Sequence, residues 1–213
     1  MKSTSADPYC YPGTEVLRNL NNIRDSAELE AFEAAMVALR LVRLSEEPLQ
    51  GSFDLDRLLR THRRIFDGVY EWAGQLRQNT GTMKKQRKAG HVVSYGDSAY
   101  VQPALVEMLR KLQQENFLRN LLPKSFAARA AFYYGEIDAI HPFREGNSRT
   151  LRQFFGDLAR EADYRIDWTA ASATEEDRQQ IFLARDMAVM HGDSSLLARI
   201  IERNLHPLVS DMT

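Results

Sequence analysis

The feature that most limits how this chain can fold is a polar stretch set between two apolar helical patterns: His141-Pro142-Phe143-Arg144-Glu145-Gly146-Asn147-Ser148-Arg149-Thr150-Leu151-Arg152. Ile137, Ala139 and Ile140 precede it, and Leu151, Phe154, Phe155 and Leu158 follow at helical spacing. The pattern places a loop at the N-terminus of a helix. Unpaired backbone N–H groups and the positive end of the helix dipole make such a place an anion site. Arg149 and Arg152 are three apart and share a helix face, so both reach one polyanion. Glu145 beside them suits a divalent cation, because Mg²⁺ takes one or two carboxylates and completes its shell with substrate phosphates. His141, near neutrality in its unperturbed titration, is a candidate general base. The set reads as a nucleotide and Mg²⁺ site with a histidine beside it.

The rest of the chain is mostly helical in pattern. Residues 1–13 form an irregular arm broken by Pro8, Pro12 and Gly13. Ser26 is the expected cap of a first helix whose stripe is Leu29, Phe32, Ala35, Met36, Leu39 and Val42, closed by Pro48 and Gly51. Asp54 opens a second helix with Leu55, Leu58, Leu59, His62 and Ile65 on one stripe, where His62 reads as a packed helix residue. Further helices are expected over Pro103–Leu118, Lys124–Ile140, Thr174–His191 and Ser194–Leu205, the last two divided by Gly192. Residues 76–96 are the exception. Turn signals at Thr80-Gly81-Thr82 and Ala89-Gly90 and the strand-like Val92-Val93-Ser94-Tyr95 describe a hairpin. Its Lys84, Lys85, Arg87 and Lys88 read as an exposed basic cluster.

The motif residues closely resemble the signature of the Fic family, H-P-F-x-[D/E]-G-N-G-R-x-x-R. Eight of its nine defined positions are present, and Ser148 stands where glycine is usual. The resemblance implies an all-α fold of about eight helices, a single Fic domain over residues 1–213, with a β-hairpin flap at about 76–96 and the motif loop and helix at 141–160. It implies an enzyme that moves AMP from ATP to a Tyr, Thr or Ser hydroxyl of a target protein. His141 would take the hydroxyl proton, Glu145 would hold Mg²⁺, and Gly146 and Asn147 would contact the α-phosphate side. Arg149 and Arg152 would hold the β- and γ-phosphates, and Phe143 would anchor the loop in the core. Ser148 adds a hydroxyl that can donate to a phosphate oxygen. The Trp72-Ala73-Gly74 segment resembles the one that precedes the family's flap, on which Lys84, Val92 and Val93 would dock an extended target segment by strand addition.

The opening Asp7-Pro8-Tyr9-Cys10-Tyr11-Pro12-Gly13-Thr14 resembles the start of short bacterial Fic toxins. The family's inhibitory pattern, [S/T]-x-x-x-E-[G/N], has no full match. Ser172-Ala173-Thr174-Glu175-Glu176-Asp177 comes nearest, and Asp177 breaks it. The resemblance therefore implies a toxin whose inhibitory glutamate is carried by a separate small helical antitoxin and pairs with Arg152. It also implies a first target class, the ATPase subunits of type II topoisomerases. Two alternatives stand beside it: a Fic-fold kinase of the Doc type, against which Gly146 and Arg152 argue, and a non-catalytic Fic binding module.

Composition narrows the setting. The chain has 213 residues, 44% of them hydrophobic and 27% charged, with a net charge of −1. This near-neutral balance gives no ground for a nucleic-acid or membrane partner. Cys10 is the single cysteine, so no internal disulfide is possible. No run approaches the roughly 20 apolar residues of a membrane span, and the expected location is cytoplasmic, where ATP is available.

Overall fold

The computed structural model describes residues 7–87 and 90–208; Met1 to Ala6, Lys88 and Ala89, and residues beyond 208 lie outside it. Among the described residues there are seven α-helices: α1 (Ser26–Glu46), α2 (Leu55–Phe66), α3 (Val101–Gln114), α4 (Pro123–Ile140), α5 (Asn147–Glu161), α6 (Glu175–His191) and α7 (Ser195–Arg203). Three single 3₁₀ turns account for the rest of the expected helical content. The strands are β1 (Thr82–Gln86), β2 (Val92–Asp97), β3 (Tyr164–Ile166) and β4 (Leu205–Pro207), paired antiparallel as β1–β2 and β3–β4. The mostly helical architecture with its hairpin agrees with the sequence reading.

α4 is the central helix. Small residues on it (Ala127, Ala130, Ala131, Gly135) let neighbours approach, and Phe126, Tyr133, Tyr134 and Ile137 fill the space between them. α3, α5, α6 and α7 pack around it. Leu151, Phe154, Phe155 and Leu158 supply the buried face of α5, as their spacing predicts. Full burial of each such side chain contributes about 1.5–3 kcal/mol. A second cluster lies under α1 and joins Val37 and Leu44 to Ile65, Phe66, Val69, Tyr70 and Trp72.

Two expectations need correction. The cap of α1 is Asp25, whose carboxylate accepts from the Glu28 N–H at 2.9 Å, with Ser26 as the first helical residue. The buried face of α1 is Leu29, Val37 and Leu44, whereas Leu39 and Val42 are exposed. The inward side of the helix also carries Glu33, which binds Arg149 and Tyr70. From Asp7 onward the N-terminal arm is irregular, as expected, and docked. Tyr9 packs edge-on against Trp72, its hydroxyl accepts from the Gln78 N–H, and Asp7 binds Arg144 of the motif loop at 2.7 Å.

Candidate active site

The motif loop hangs between α4 and α5. His141 ends α4 as its left-handed cap residue, with φ of 53°. A non-glycine residue in this conformation stores backbone strain, so something must hold it. The anchor is Arg77, a fully buried guanidinium. Nε donates to the His141 carbonyl and Nη2 to the carbonyls of Ile140 and Gly96. Nη1 donates to the carbonyl of Gly81 and the Thr80 hydroxyl. One side chain thereby ties the loop to both roots of the hairpin. Pro142 joins in through its carbonyl, which accepts from the Arg77 N–H.

The loop is also stapled from within and from below. Asn147 accepts from the Phe143 N–H at 2.9 Å and donates to the Phe143 carbonyl at 2.8 Å. Its carbonyl oxygen and one amide proton are thus spent on the loop. The second amide proton makes no contact with the loop. Phe143 is fully buried and stacks on His62 with centroids 3.9 Å apart. His62 accepts from the Gly74 N–H at Nδ1, which leaves Nε2 to donate to the Glu145 carbonyl at 3.1 Å. Burial pushes its pKa down to about 3, so it stays neutral. His62 is a bolt under the loop, a role the helical stripe alone did not reveal.

Gly146 caps α5 with φ of 82° and no side-chain cap bond, which leaves the first-turn N–H groups open. A Cβ there would meet Phe66 ring carbons at 2.2 Å, so only glycine fits. Ser148 follows in the first turn, half-buried, beside the buried Tyr134 hydroxyl.

The charged residues divide unequally. Arg149 is held by Glu33 at 2.6 Å and by Glu145 at 3.3 Å, with its guanidinium over the Phe66 ring. Arg152 makes no hydrogen bond or ion pair among the described residues, although burial disfavours its charge. Both line a cavity of about 510 Å³ walled by Leu41, Gly156 and Trp168. Such a half-buried unpaired guanidinium is a strong anion ligand. Glu145 accepts from the Gly146 N–H at 2.8 Å. Burial opposes its ionisation, but Lys85, the Gly146 N–H, Arg149 and Arg144 outweigh it and hold the carboxyl below its ordinary range.

His141 lies under the hairpin with 0% exposure. Tyr95 stacks on its ring at 3.8 Å, and neither ring nitrogen has a hydrogen-bond partner among the described residues. Burial lowers its pKa, while Asp138 acts in the opposite sense. The hairpin also departs from an exposed basic loop. Lys84 and Val92 are exposed, but Val93 is fully buried, so its side chain cannot greet a target. Lys85 turns inward toward Glu145 and His141, and Arg87 binds Asp186 of α6 and the Tyr95 hydroxyl. His91 joins Asp186 at 2.9 Å. Strand alternation carries this signal, since neighbouring Lys84 and Lys85 must face opposite sides. Cys10 lies near Arg144, but burial and Asp7 raise its thiol pKa, so nothing activates it.

The fold is a helical core that carries a loop-to-helix turn with a buried histidine under a two-stranded hairpin. Residues 52–158 match the Fic/DOC family model, and the chain belongs to that family. It is 39% identical over 201 residues to the protein adenylyltransferase VbhT of Bartonella schoenbuchensis, covering 94% of this chain and 39% of that protein. The probable protein adenylyltransferase y4lH of Sinorhizobium fredii is 37% identical and covers 92% of this chain and 95% of its own length. Among solved structures, BepC from Bartonella tribocorum with bound AMPPNP superposes with a TM-score of 0.80 at 26% identity. It covers 93% of this chain and 96% of that one. An N-terminal Fic domain from Bartonella quintana with bound ADP also gives 0.80, at 28% identity, over 93% and 94%.

Proposed function

We propose that this chain is a protein adenylyltransferase that moves AMP from ATP to a hydroxyl side chain of a target protein. The observation that carries the reading is the grouping, in one loop and one helix turn, of His141 with Nε2 outside any hydrogen bond, Glu145 held below its ordinary carboxylate range, and Arg152 without an ion pair among the described residues. The target oxygen would bond to the α-phosphorus as the bond from that phosphorus to the bridging oxygen breaks. Pyrophosphate leaves with the electron pair, and the hydroxyl proton passes to His141 Nε2. Arg152, Arg149, the Ser148 hydroxyl and the open N–H groups of α5 would bind the phosphates, which is the charge stabilisation this chemistry needs. The names of the relatives and the nucleotides in the Bartonella structures support the reading.

Glu145 fits Mg²⁺, with a half-exposed carboxylate that has one oxygen outside any hydrogen bond. Among the described residues no cluster of three or more His, Cys, Asp or Glu could cage a metal, so phosphates would complete the shell. When bound, the ion would neutralise phosphate charge.

The two-stranded hairpin leaves a backbone edge unpaired, and an extended target segment could add to it there. Lys84 and Val92 would meet that segment. Control in trans is part of the same reading. Arg152 is unpaired and lines an open cavity, so a glutamate on a separate helical antitoxin would compete there with phosphate. No helix among the described residues is long and apolar enough to cross a membrane, and a cytoplasmic toxin with access to ATP is consistent with that. ATPase subunits of type II topoisomerases are the first targets to test.

The deciding experiment is incubation of the protein with a cell lysate and labelled ATP. Transfer of α-label to protein is expected. Transfer of γ-label instead would identify a kinase, and neither would leave a binding module. Robust growth of cells making the active chain alone would sink the toxin reading.

A further inference from the structure

Asp138 lies on the last turn of α4, three residues before His141, and is fully buried. Arg185 of α6 clamps its carboxylate with two hydrogen bonds of 2.8 Å from Nε and Nη2. This pairing keeps Asp138 ionised inside the protein, where a lone carboxylate would protonate. Its Oδ1 stands 3.7 Å from Nδ1 of His141. The other groups packed around the ring offer no acceptor. Tyr95 of β2 stacks on its face, Lys85 of β1 and Arg185 act on it as like charges, and Arg77 binds the His141 carbonyl and not the ring.

We propose that Asp138, held by Arg185, is the positioning residue for His141. It keeps the proton of the neutral ring on Nδ1, which leaves Nε2 as the basic nitrogen, and it balances the imidazolium that forms when Nε2 takes the target's proton. The inference rests on the reading of His141 as the base. It adds a pair of residues outside the motif, one on α4 and one on α6. The gap of 3.7 Å is longer than a hydrogen bond, and catalytic bonds in free enzymes commonly tighten only with substrate in place. The need for a counter-charge follows from burial, because a water-free imidazolium has no solvent to stabilise it. Asp186, the next residue of α6, binds Arg87 and His91 of the hairpin, so the helix that fixes the orienting carboxylate also fixes the cover over the ring.

The test joins spectroscopy with kinetics. In wild-type protein labelled with ¹⁵N-histidine, and with the His141 signals assigned by their loss in His141→Ala, the ring should be protonated on Nδ1. Protonation on Nε2 overturns the proposal. Asp138→Asn should lower kcat at least tenfold, leave KM for ATP within twofold, and move the acidic limb of the kcat profile to lower pH. An Asp138→Asn protein that folds and keeps the wild-type kcat and pH profile, while His141→Ala is inactive, overturns the proposal and leaves His141 as the base. Transfer that survives in His141→Ala brings down both. Where Asp138→Asn does not fold, the wild-type tautomer decides, together with Arg185→Lys. That variant keeps the charge but loses the two-pronged grip, and its kcat should fall with KM for ATP unchanged; an unchanged kcat counts against the proposal.

Discussion

Arg77 and His141 are 64 positions apart in sequence, yet the guanidinium of the first holds the carbonyl of the second in a left-handed turn. The same side chain binds both roots of the hairpin. Arg77→Met would leave several buried carbonyls without donors, each costing about 1–3 kcal/mol. A loss of at least about 3 kcal/mol in urea unfolding is expected, together with a large fall in transfer activity. A variant of normal stability would show that water replaces the guanidinium.

Gly146→Ala should break the loop. The added methyl falls on the Phe66 ring, and the positive φ disfavours any side chain. Thermal melting should fall by several degrees, and ATP binding by titration should weaken more than tenfold. An unchanged ATP affinity would mean that the first turn of α5 does not bind the nucleotide.

Stability should decline as pH falls from about 6.5 toward 4.5. The unfolded chain protonates His62 near its ordinary pKa of about 6.5, whereas the folded chain resists until about pH 3. Protons therefore favour the unfolded state across that window, at up to about 1.4 kcal/mol per pH unit. His141, also depressed by burial, adds to the slope. Asp138 and Glu145 have lowered pKa values and contribute a further loss only at more acidic pH. Urea unfolding of wild type and His62→Gln at several pH values checks this, and the variant should show the flatter dependence. Equal slopes would contradict a neutral His62.

Ser148→Gly should leave transfer unchanged or raise it modestly. Serine sits in the first turn of α5 without displacing a charged residue, and glycine there costs about 0.5–1 kcal/mol of helix stability. A large loss of activity would make the hydroxyl a working phosphate ligand.

Arg152→Ala should weaken ATP binding and any partner's inhibition together, because one unpaired guanidinium would serve both. ATP titration, and α-label transfer with and without a helical peptide bearing the family's inhibitory glutamate pattern, measure the two effects. Inhibition that survives intact would place the partner's contact elsewhere.

Much of this was readable from residue order. The α5 stripe, the Asp54 cap of α2 and the hairpin at 76–96 follow from periodicity and turn chemistry, and the buried Phe143 from the resemblance of the motif to the Fic signature. What could not be read depends on contacts between distant segments. Arg77 looks like any loop cation until five oxygen atoms are seen to converge on it. Leu39 and Val42 fit the α1 stripe as well as Val37 and Leu44 do, and the face that is buried also carries Glu33, which binds Arg149. Lys85 and Lys84 are alike in composition, and their strand register separates them.

The covered position of His141 has a bearing on fidelity. On the adenylyltransferase reading, the burial of His141 beneath Tyr95 would shield the base from bulk water and spare a loaded nucleotide idle hydrolysis. On the same reading, the hydroxyl that succeeds would arrive on a segment able to shift the hairpin. Admission, more than the reactivity of the histidine, would then decide which proteins are marked.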